Sequence, residues 1–457
     1  MKTRLFPVTV ALLLAGCGDK AQHDVASGQG LDPMLPAEVH DLLPTVKIPD
    51  IIGWQGDQTP QAAAGLAVHA FARGLDHPRW LLVLPNGDVL VAETNAPPKP
   101  DDTRGIRGAI ERMEMKKAGG ASPSPNRITL LRDTDGDGVA DQRTSFLTGL
   151  NSPFGMALVG DTLYVADTDA LLAFPYKTGE TAIHAPPVKI VDLPGGTINH
   201  HWTKNVIASR DGSKLYVTVG SNSNVGEKGM AVEQGRAAIW EVDPRTHAHR
   251  IFAGGIRNPN GMGWASDGRL WTVVNERDEL GSDLVPDYLT SVEDGDFFGW
   301  PWRYYASHVD ARVKDAPPPY VVNARKPDYA LGAHTASLGL AFATGEMLSP
   351  RFADGVFVGQ HGSWNRNPPS GYKVVFVPFA NGRPTGAQPI DVLTGFLTDD
   401  AKKTYGRPVG VAIDTHGGLL VADDGGNAVW RVTAATDAVP ARMAARRTDW
   451  FASLAGG

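Results

Sequence analysis

Five short polar clusters carry the side chains best suited to chemistry. They contain histidines, arginines, asparagines and carboxylates, and each lies next to an apolar stretch predicted to be a strand. A neutral imidazole is a suitable general base near neutral pH, and an arginine stabilises developing negative charge. The clusters occupy residues 199–202, 257–260, 275–278, 360–366 and 406–408. These clusters are far apart in the sequence. They can form a single site only in a fold that brings distant loops together.

A separate group of carboxylates alternates along one short loop. Asp133, Asp135, Asp137 and Asp141 have a spacing that resembles a calcium-binding loop, in which any ion would be structural. The twelfth position is Thr144 where an EF-hand has glutamate. An Asp-Gly hairpin tip explains the same residues equally well, so the sequence leaves both interpretations open.

A recurring hairpin pattern predicts the elements that position these residues. In six places a glycine-containing turn precedes an apolar, β-prone tetrad, and most copies follow another apolar stretch. Asp or Asn with Gly supplies the positive φ that tight hairpin turns require. The six copies lie at residues 86–91, 160–165, 211–217, 267–273, 354–358 and 417–421.

Recurrence at intervals of about 50 to 90 residues indicates a radial repeat, because one hairpin alone cannot bury both of its faces. The sequence therefore predicts an all-β fold, a six-bladed β-propeller over residues 47–434. Unrelated hairpins in a β-sandwich are the alternative. Ligands of propellers usually sit at one mouth of the central channel, which would bring the polar clusters together.

Composition excludes several classes of function. The 457 residues are 20% charged and 42% hydrophobic, which is typical of a folded chain. With 50 acidic and 43 basic residues the net charge is −7, so a nucleic-acid partner is not expected. A single cysteine excludes an intrachain disulfide, a zinc knuckle, an iron–sulfur cluster and a CxxCH haem site. The GxSxG, HExxH and P-loop motifs of other enzyme classes are lacking.

The N-terminal segment resembles the signal peptide of a bacterial lipoprotein. A short basic start is followed by an apolar stretch and then by Leu14, Ala15, Gly16 and Cys17. The predicted organisation is a signal peptide at 1–16, a lipid-anchored tether at 17–46, the propeller at 47–434 and a tail at 435–457. A plain secretory signal with a chance cysteine is the alternative. We expect the chain on the periplasmic side of a bacterial membrane, with the outer membrane favoured and the lipid as the only membrane contact.

An ordered set of segments resembles the soluble quinoprotein sugar dehydrogenases, and within them the sorbosone dehydrogenase type. The resemblance covers roughly residues 68–432. It is carried by His201 ahead of residues 210–220, then by 255–262, 275–278, 298–301, 338–342 and 361–366. That family implies a six-bladed propeller that uses pyrroloquinoline quinone and calcium.

The resemblance assigns roles to individual residues. His201 would take the proton from the sugar hydroxyl while hydride leaves C1 for the quinone, although His200, one position away, stays open. Arg257, followed by Asn258, would hydrogen-bond the quinone and stabilise its negative charge on reduction. The cations assigned to the cofactor's carboxylates are Arg407 and, as candidates for the remaining contacts, Arg366 and Lys373.

Calcium in this family is bound largely by main-chain carbonyls, which suit a hard cation. The matching loop implies the carbonyls of Glu276 and Arg277, with help from the side chains of Asp278 and Asp287. The loop departs from the glucose dehydrogenase type, which has Gly and Pro at those first two positions. A charged surface loop explains the same residues.

We therefore expect an oxidoreductase that oxidises an aldose sugar or an aldehyde and passes electrons to an external cytochrome or quinone. Two alternatives remain. A metal-dependent propeller lactonase would need carboxylates or asparagines that converge on the axis. A non-catalytic binding protein would keep the fold without the chemistry.

Overall fold

The strands of this computed structural model, which describes residues 18–40, 45–98, 122–344 and 348–435, form six antiparallel sheets around a central axis. Each of the six predicted glycine turns joins the first strand of a sheet to the second. The predicted six-bladed β-propeller is therefore confirmed, and the β-sandwich alternative is wrong. Helical structure in the described ranges consists of the short 3-10 helices Val25–Gly28, Met230–Glu233, Pro319–Asn323 and Pro350–Phe352.

Each blade has four main strands, numbered here from the axis outward. Blade 1 contains Pro78–Val83, Val89–Glu93, Arg127–Arg132 and Gln142–Thr148, and blade 2 contains Met156–Val159, Thr162–Ala166, Ala170–Pro175 and Val188–Asp192. Blade 3 contains Val206–Ala208, Leu215–Val219, Ala238–Val242 and His249–Gly254, and blade 4 contains Pro259–Trp264, Leu270–Val274, Pro286–Val292 and Tyr329–Ala333. Blade 5 contains Ser337–Phe342, Gly355–Gln360, Lys373–Ala380 and Ile390–Thr394, and blade 6 contains Pro408–Ile413, Leu419–Asp423, Ala428–Ala434 and Leu66–Arg73.

Short strands extend this pattern. Gln29–Gly30 adds to the edge of blade 4, Gln61–Ala62 adds to blade 5, and Arg383–Pro384 pairs with the third strand of blade 5. Asp50–Ile51 pairs with Lys403–Thr404, and Arg303–Tyr304 pairs with His308–Val309.

The first strands of the six blades form a closed ring, each beside the first strand of the next blade. The ring is closed within blade 6, where Leu66–Arg73 from near the beginning of the chain pairs with Ala428–Ala434 from near its end. This pairing joins distant parts of the chain and leaves no gap between blades 6 and 1.

The second strands explain the continuous apolar tetrads. Val89–Glu93, Leu215–Val219, Leu270–Val274 and Leu419–Asp423 are buried at every position. A strand covered on both faces by neighbouring blades does not alternate between apolar and polar residues. Six hydrophobic clusters fill the spaces around these strands.

The segment predicted as a tether lies against the propeller over residues 18–40. Asp19 accepts a hydrogen bond from the Ser282 amide at 2.7 Å, and Gln29 pairs with Leu331 of blade 4. Cys17, residues 1–16 and residues 436–457 lie outside the described residues. In the described ranges we find no helix that is both long enough and apolar enough to cross a membrane.

Candidate functional site

The fold gathers the polar clusters at one end of the ring. All six first strands begin at this end, and because each second strand is antiparallel to the first, it finishes there. The residues just before first strands and just after second strands therefore surround one opening, which we call the mouth. His201, Arg257, Asn258 and Arg407 precede first strands, and the loop at 275–278 follows a second strand.

His201 is held at the mouth by the loop that follows the second strand of its blade. Its Nδ1 lies 2.9 Å from the carbonyl oxygen of Ser221 and 2.9 Å from the Ser221 hydroxyl. Because a carbonyl oxygen only accepts hydrogen bonds, we assign the proton to Nδ1, which leaves Nε2 as the basic nitrogen. The exposed His200 ring packs edge-on against His201 with centroids 4.7 Å apart.

Gly220 permits a close approach between His201 and Asn258. A Cβ on Gly220 would lie 2.5 Å from the Asn258 Oδ1 and 2.5 Å from the His201 Cβ. Both side chains therefore flank one glycine. The Asn258 Oδ1 is buried and makes no hydrogen bond to the described residues. Such an atom is costly to bury without a partner, so it marks a position suited to a ligand donor.

Arg257 is occupied by the protein itself. Its side chain is 1% exposed and donates five hydrogen bonds, to the carbonyls of Asn275 and Glu276, to both the carbonyl and the amide oxygen of Asn224, and to Asp278. The ion pair with Asp278 is 3.0 Å long. The structure therefore places Arg257 beside the mouth but uses its guanidinium to join the loops of blades 3 and 4.

Three of the four groups assigned to calcium, the Glu276 carbonyl and the carboxylates of Asp278 and Asp287, already accept hydrogen bonds within the protein. The Glu276 carbonyl accepts Arg257 Nη1 at 2.6 Å, so a cation there would meet a buried guanidinium. Asp278 bridges Arg257 and His334, while the Arg277 side chain pairs with Glu276 and Asp310.

Asp287 acts as an internal support for this loop. One carboxylate oxygen accepts the Glu276 amide at 2.9 Å, and the other accepts the Ser337 amide at 2.8 Å and the Thr335 hydroxyl at 3.0 Å. Burial raises the pKa of the Asp287 carboxyl to about 7 despite these bonds. The side chain therefore fixes the loop at 275–278 to blade 5.

Two predicted cofactor contacts are bound to other parts of the protein. Arg366 donates to the His23 carbonyl at 2.9 Å and pairs with Asp283, so it holds the N-terminal segment. Lys373 lies on the third strand of blade 5 and pairs with Asp391 at 2.7 Å. Among the described residues, neither side chain contacts His201 or Arg407.

Arg407 lies at the mouth with His361 of a predicted polar cluster and with two charged residues, Arg79 and Asp424, that the sequence analysis did not identify. It donates to the carbonyls of His361 and Gly362, at 3.0 and 2.9 Å. His361 contacts Asp424 at 2.9 Å, and Asp424 pairs with Arg79 at 2.6 Å. Arg79 also lies over the Trp202 ring, with 5.6 Å to its centroid, which links this set to the loop of His201.

The electrostatics of this set favour a neutral imidazole. Burial, together with Arg407, lowers the pKa of His361 to about 4. Although burial opposes it, a hydrogen bond from His361 and the charges of Arg79 and Arg407 hold the pKa of Asp424 below its usual range. The set of His361, Arg407, Arg79 and Asp424 therefore carries one net positive charge at neutral pH. A local sequence signal could have identified Arg79. Three first strands begin with a proline that has an arginine within two residues, at Pro78, Pro259 and Pro408.

The mouth residues fit a flat anionic ligand in part. Arg79 and Arg407 supply positive charge from adjacent first strands, and carboxylates prefer such planar donors. Several buried polar atoms near the ends of these strands make no hydrogen bond to the described residues. They are Arg79 Nε, Asp167 Oδ1, Asn258 Oδ1, Asn260 Nδ2 and Gln360 Oε1.

The aspartate loop lies at the opposite end of the propeller, between the third and fourth strands of blade 1. Ligand atoms of Asp133, Asp135 and Asp137 lie within 4.8 Å of one another, whereas Asp141 instead binds Thr134. The Asp133 carboxylate accepts the amides of Gly136 and Gly138, as in a hairpin tip. Both interpretations of the loop therefore stay open.

Comparison with known proteins shows which family this chain belongs to. The model of the TrAA12-like family matches residues 121–289 and 314–435, well over half of the chain. This chain belongs to the TrAA12-like family. The predicted relationship to the soluble quinoprotein sugar dehydrogenases is confirmed, whereas the sorbosone type stays a prediction.

Two curated relatives match the TrAA12-like chain over part of their length. An uncharacterised protein of Borreliella burgdorferi is 29% identical over 245 residues, which are 52% of this chain and 62% of that protein. A pyrroloquinoline quinone-dependent pyranose dehydrogenase of Coprinopsis cinerea is 28% identical over 224 residues, 39% of this chain and 30% of that enzyme. The alignments thus span less than two thirds of either relative.

Solved structures share the fold of this TrAA12-like protein. The pyranose dehydrogenase PQQ domain of Coprinopsis cinerea, in its holo form, has a TM-score of 0.64 at 21% identity and covers 85% of this chain and 100% of that domain. The calcium structure of the Trichoderma reesei family AA12 enzyme has a TM-score of 0.66 at 20% identity and covers 86% and 98%.

Proposed function

We propose that this protein is a quinoprotein dehydrogenase that oxidises a sugar or a related aldehyde. The observation that carries the proposal is the mouth itself. It combines the basic Nε2 of His201, the Asn258 amide oxygen, which makes no hydrogen bond to a described residue, and the cations Arg79 and Arg407. The dehydrogenases among its relatives and structural neighbours support the same chemistry.

Each residue has a distinct role in this proposal. Pyrroloquinoline quinone, when bound, supplies the two-electron acceptor for the hydride from C1. His201 accepts the proton of the sugar's anomeric hydroxyl at Nε2, and the Ser221 carbonyl keeps its ring in the required tautomer. Arg79 and Arg407 would hold the anionic cofactor, while Arg257 fixes the loops that form the wall of the mouth. The proposal also requires an external electron acceptor, a cytochrome or a quinone.

Reconstitution tests the proposal. Purified protein without cofactor is titrated with pyrroloquinoline quinone, with and without calcium, while its spectrum and dye-linked oxidation of an aldose and aldehyde panel are recorded. We expect a saturable spectral change and activity that requires the quinone. The calcium arm tests the metal that the resemblance implies, because the Glu276 carbonyl and the carboxylates of Asp278 and Asp287 are already hydrogen-bonded within the protein. Saturating quinone without spectral change or activity would instead favour a lactonase or a binding protein.

We also propose that Cys17 carries a lipid that holds the protein on the periplasmic side of a membrane. Two residues further on, the Asp19 carbonyl accepts hydrogen bonds from Ser282 and Thr45, and Ser282 belongs to a loop at the mouth end of blade 4. The anchor would thus keep the mouth near the bilayer. We expect the full chain in the membrane fraction of a bacterial host and Cys17→Ser in the soluble fraction. A soluble wild-type chain would contradict the anchor.

A further inference from the structure

A cavity of about 580 Å³ lies on the flank of the propeller, apart from His201. It opens between the outer strand of blade 3 and the long insertion at residues 293–328 of blade 4. Gly254 and Gly255 form part of its floor, and Phe252, Phe297 and Tyr320 form part of its walls. This volume is in the range of small-ligand sites, which are concave and mostly apolar with a few polar groups.

Small floor residues allow the aromatic wall to approach. Gly255 has a φ of 66°, and a Cβ there would lie 2.6 Å from the Phe297 ring. The rings of Phe297 and Tyr320 meet edge to face, at 5.0 Å and 84°. Tyr320 is nevertheless 54% exposed, so one aromatic ring stands at the rim where a ligand would contact it.

The charged groups of the cavity are compensated. Arg325 pairs with Asp296. Burial raises the pKa of Glu233 and lowers the pKa of Arg236 to about 10, and the attraction between the two side chains opposes both shifts. The Arg236 guanidinium donates hydrogen bonds to main-chain carbonyls and to an asparagine side chain, all in the loop at 194–199. Two carboxylates and two guanidiniums give these four residues no net charge, so the cavity is unsuited to a nucleotide, a phosphate or a polyamine.

Unused polar groups border the apolar surface. The Tyr320 hydroxyl and the Asn323 amide lie on the 3-10 helix Pro319–Asn323, and neither makes a hydrogen bond to a described residue. An exposed ring beside free donors and acceptors, without net charge, matches the chemistry of a pyranose, whose faces are apolar and whose edges carry hydroxyls. We propose that this cavity is a second binding subsite, which takes one unit of a neutral oligosaccharide. Binding there does not require the redox chemistry proposed above.

Calorimetry on the protein without quinone tests this inference. The probes are the hexasaccharides of glucose in β-1,4, α-1,4 and β-1,3 linkage, of xylose and of mannose, with glucose as the monosaccharide control. We expect at least one hexasaccharide to bind. Tyr320→Ala removes the rim ring and should weaken that binding by about tenfold or more, whereas Tyr320→Phe should keep most of it.

Val322→Ala is the matched control. Val322 lies on the same 3-10 helix and is 70% exposed but does not line the cavity, so its truncation should leave binding unchanged. The proposal is overturned if no hexasaccharide binds at millimolar concentration, or if Tyr320→Ala binds as tightly as the wild type. It is overturned equally if Val322→Ala weakens binding as much as Tyr320→Ala.

A second measurement separates this subsite from the mouth. In quinone-loaded protein, Tyr320→Ala should raise the KM for the bound hexasaccharide and leave kcat and the KM for glucose unchanged. Equal loss with both substrates would contradict a separate subsite. If the loaded protein oxidises no sugar, the dehydrogenase proposal fails while the calorimetric result still decides the subsite.

Discussion

Replacing His201 by glutamine should lower kcat for sugar oxidation by about 10²- to 10⁴-fold while binding of the quinone is retained. The expected fall in kcat equals the usual contribution of a general base to the rate. Glutamine keeps a donor that can reach the Ser221 carbonyl, now 2.9 Å from Nδ1, but it has no basic nitrogen. Dye-linked turnover and a spectral titration with quinone, made on the same preparation, measure the two effects separately.

His200→Gln is the control for this experiment. The two rings are adjacent in sequence and in space, yet His200 is exposed and its main-chain amide faces Asn222 at 3.3 Å. We expect its turnover to stay within a few-fold of the wild type. Reversed phenotypes would make His200 the base, and two active variants would remove the imidazole from the mechanism.

Arg257→Ala should destabilise the protein in the absence of any cofactor. It leaves Asp278 buried without its guanidinium and the Asn275 and Glu276 carbonyls without their donor. Removal of one partner from a buried ion pair usually costs about 3–5 kcal/mol of unfolding free energy. We expect a fall of several degrees in Tm, measured on protein that has never contacted quinone.

Arg250 provides a matched surface arginine. It pairs with Glu241 at 2.9 Å and with Asp294 at 2.5 Å, but its side chain is 47% exposed. Exposed pairs of this kind contribute about 0–1 kcal/mol, so Arg250→Ala should leave Tm almost unchanged. If Arg257→Ala melts like Arg250→Ala, then Arg257 is free to serve the cofactor, as the resemblance implies, and is not a support for the loops.

The blades could be predicted because their signal is local. A turn with Asp or Asn before Gly and the apolar tetrad that follows it specify a hairpin within a few residues, and six copies specify a radial repeat. The same reasoning places Asn258 and Arg407 at the mouth, since each directly precedes a predicted first strand.

The ion pairs could not be predicted in the same way. Lys373 has the charge expected of a cofactor contact, yet its side chain meets Asp391 on the neighbouring strand of its own blade. Arg366 meets the carbonyl of His23, 343 residues away. Both outcomes depend on which segments the fold brings alongside, and no local pattern in the sequence contains that information.

The sequence by itself determined the number of blades and which polar residues lie at strand ends, because turn chemistry and burial of second strands act over a few neighbouring positions. Only the tertiary structure decided which charges are available at the mouth. Arg79 pairs with Asp424, 345 residues away, and Arg257 pairs with Asp278, 21 residues away in the loop after the second strand of blade 4. A buried charge must find a partner wherever the closed ring provides one. The ring therefore makes Arg257 a support and leaves His201, Asn258, Arg79 and Arg407 around the opening.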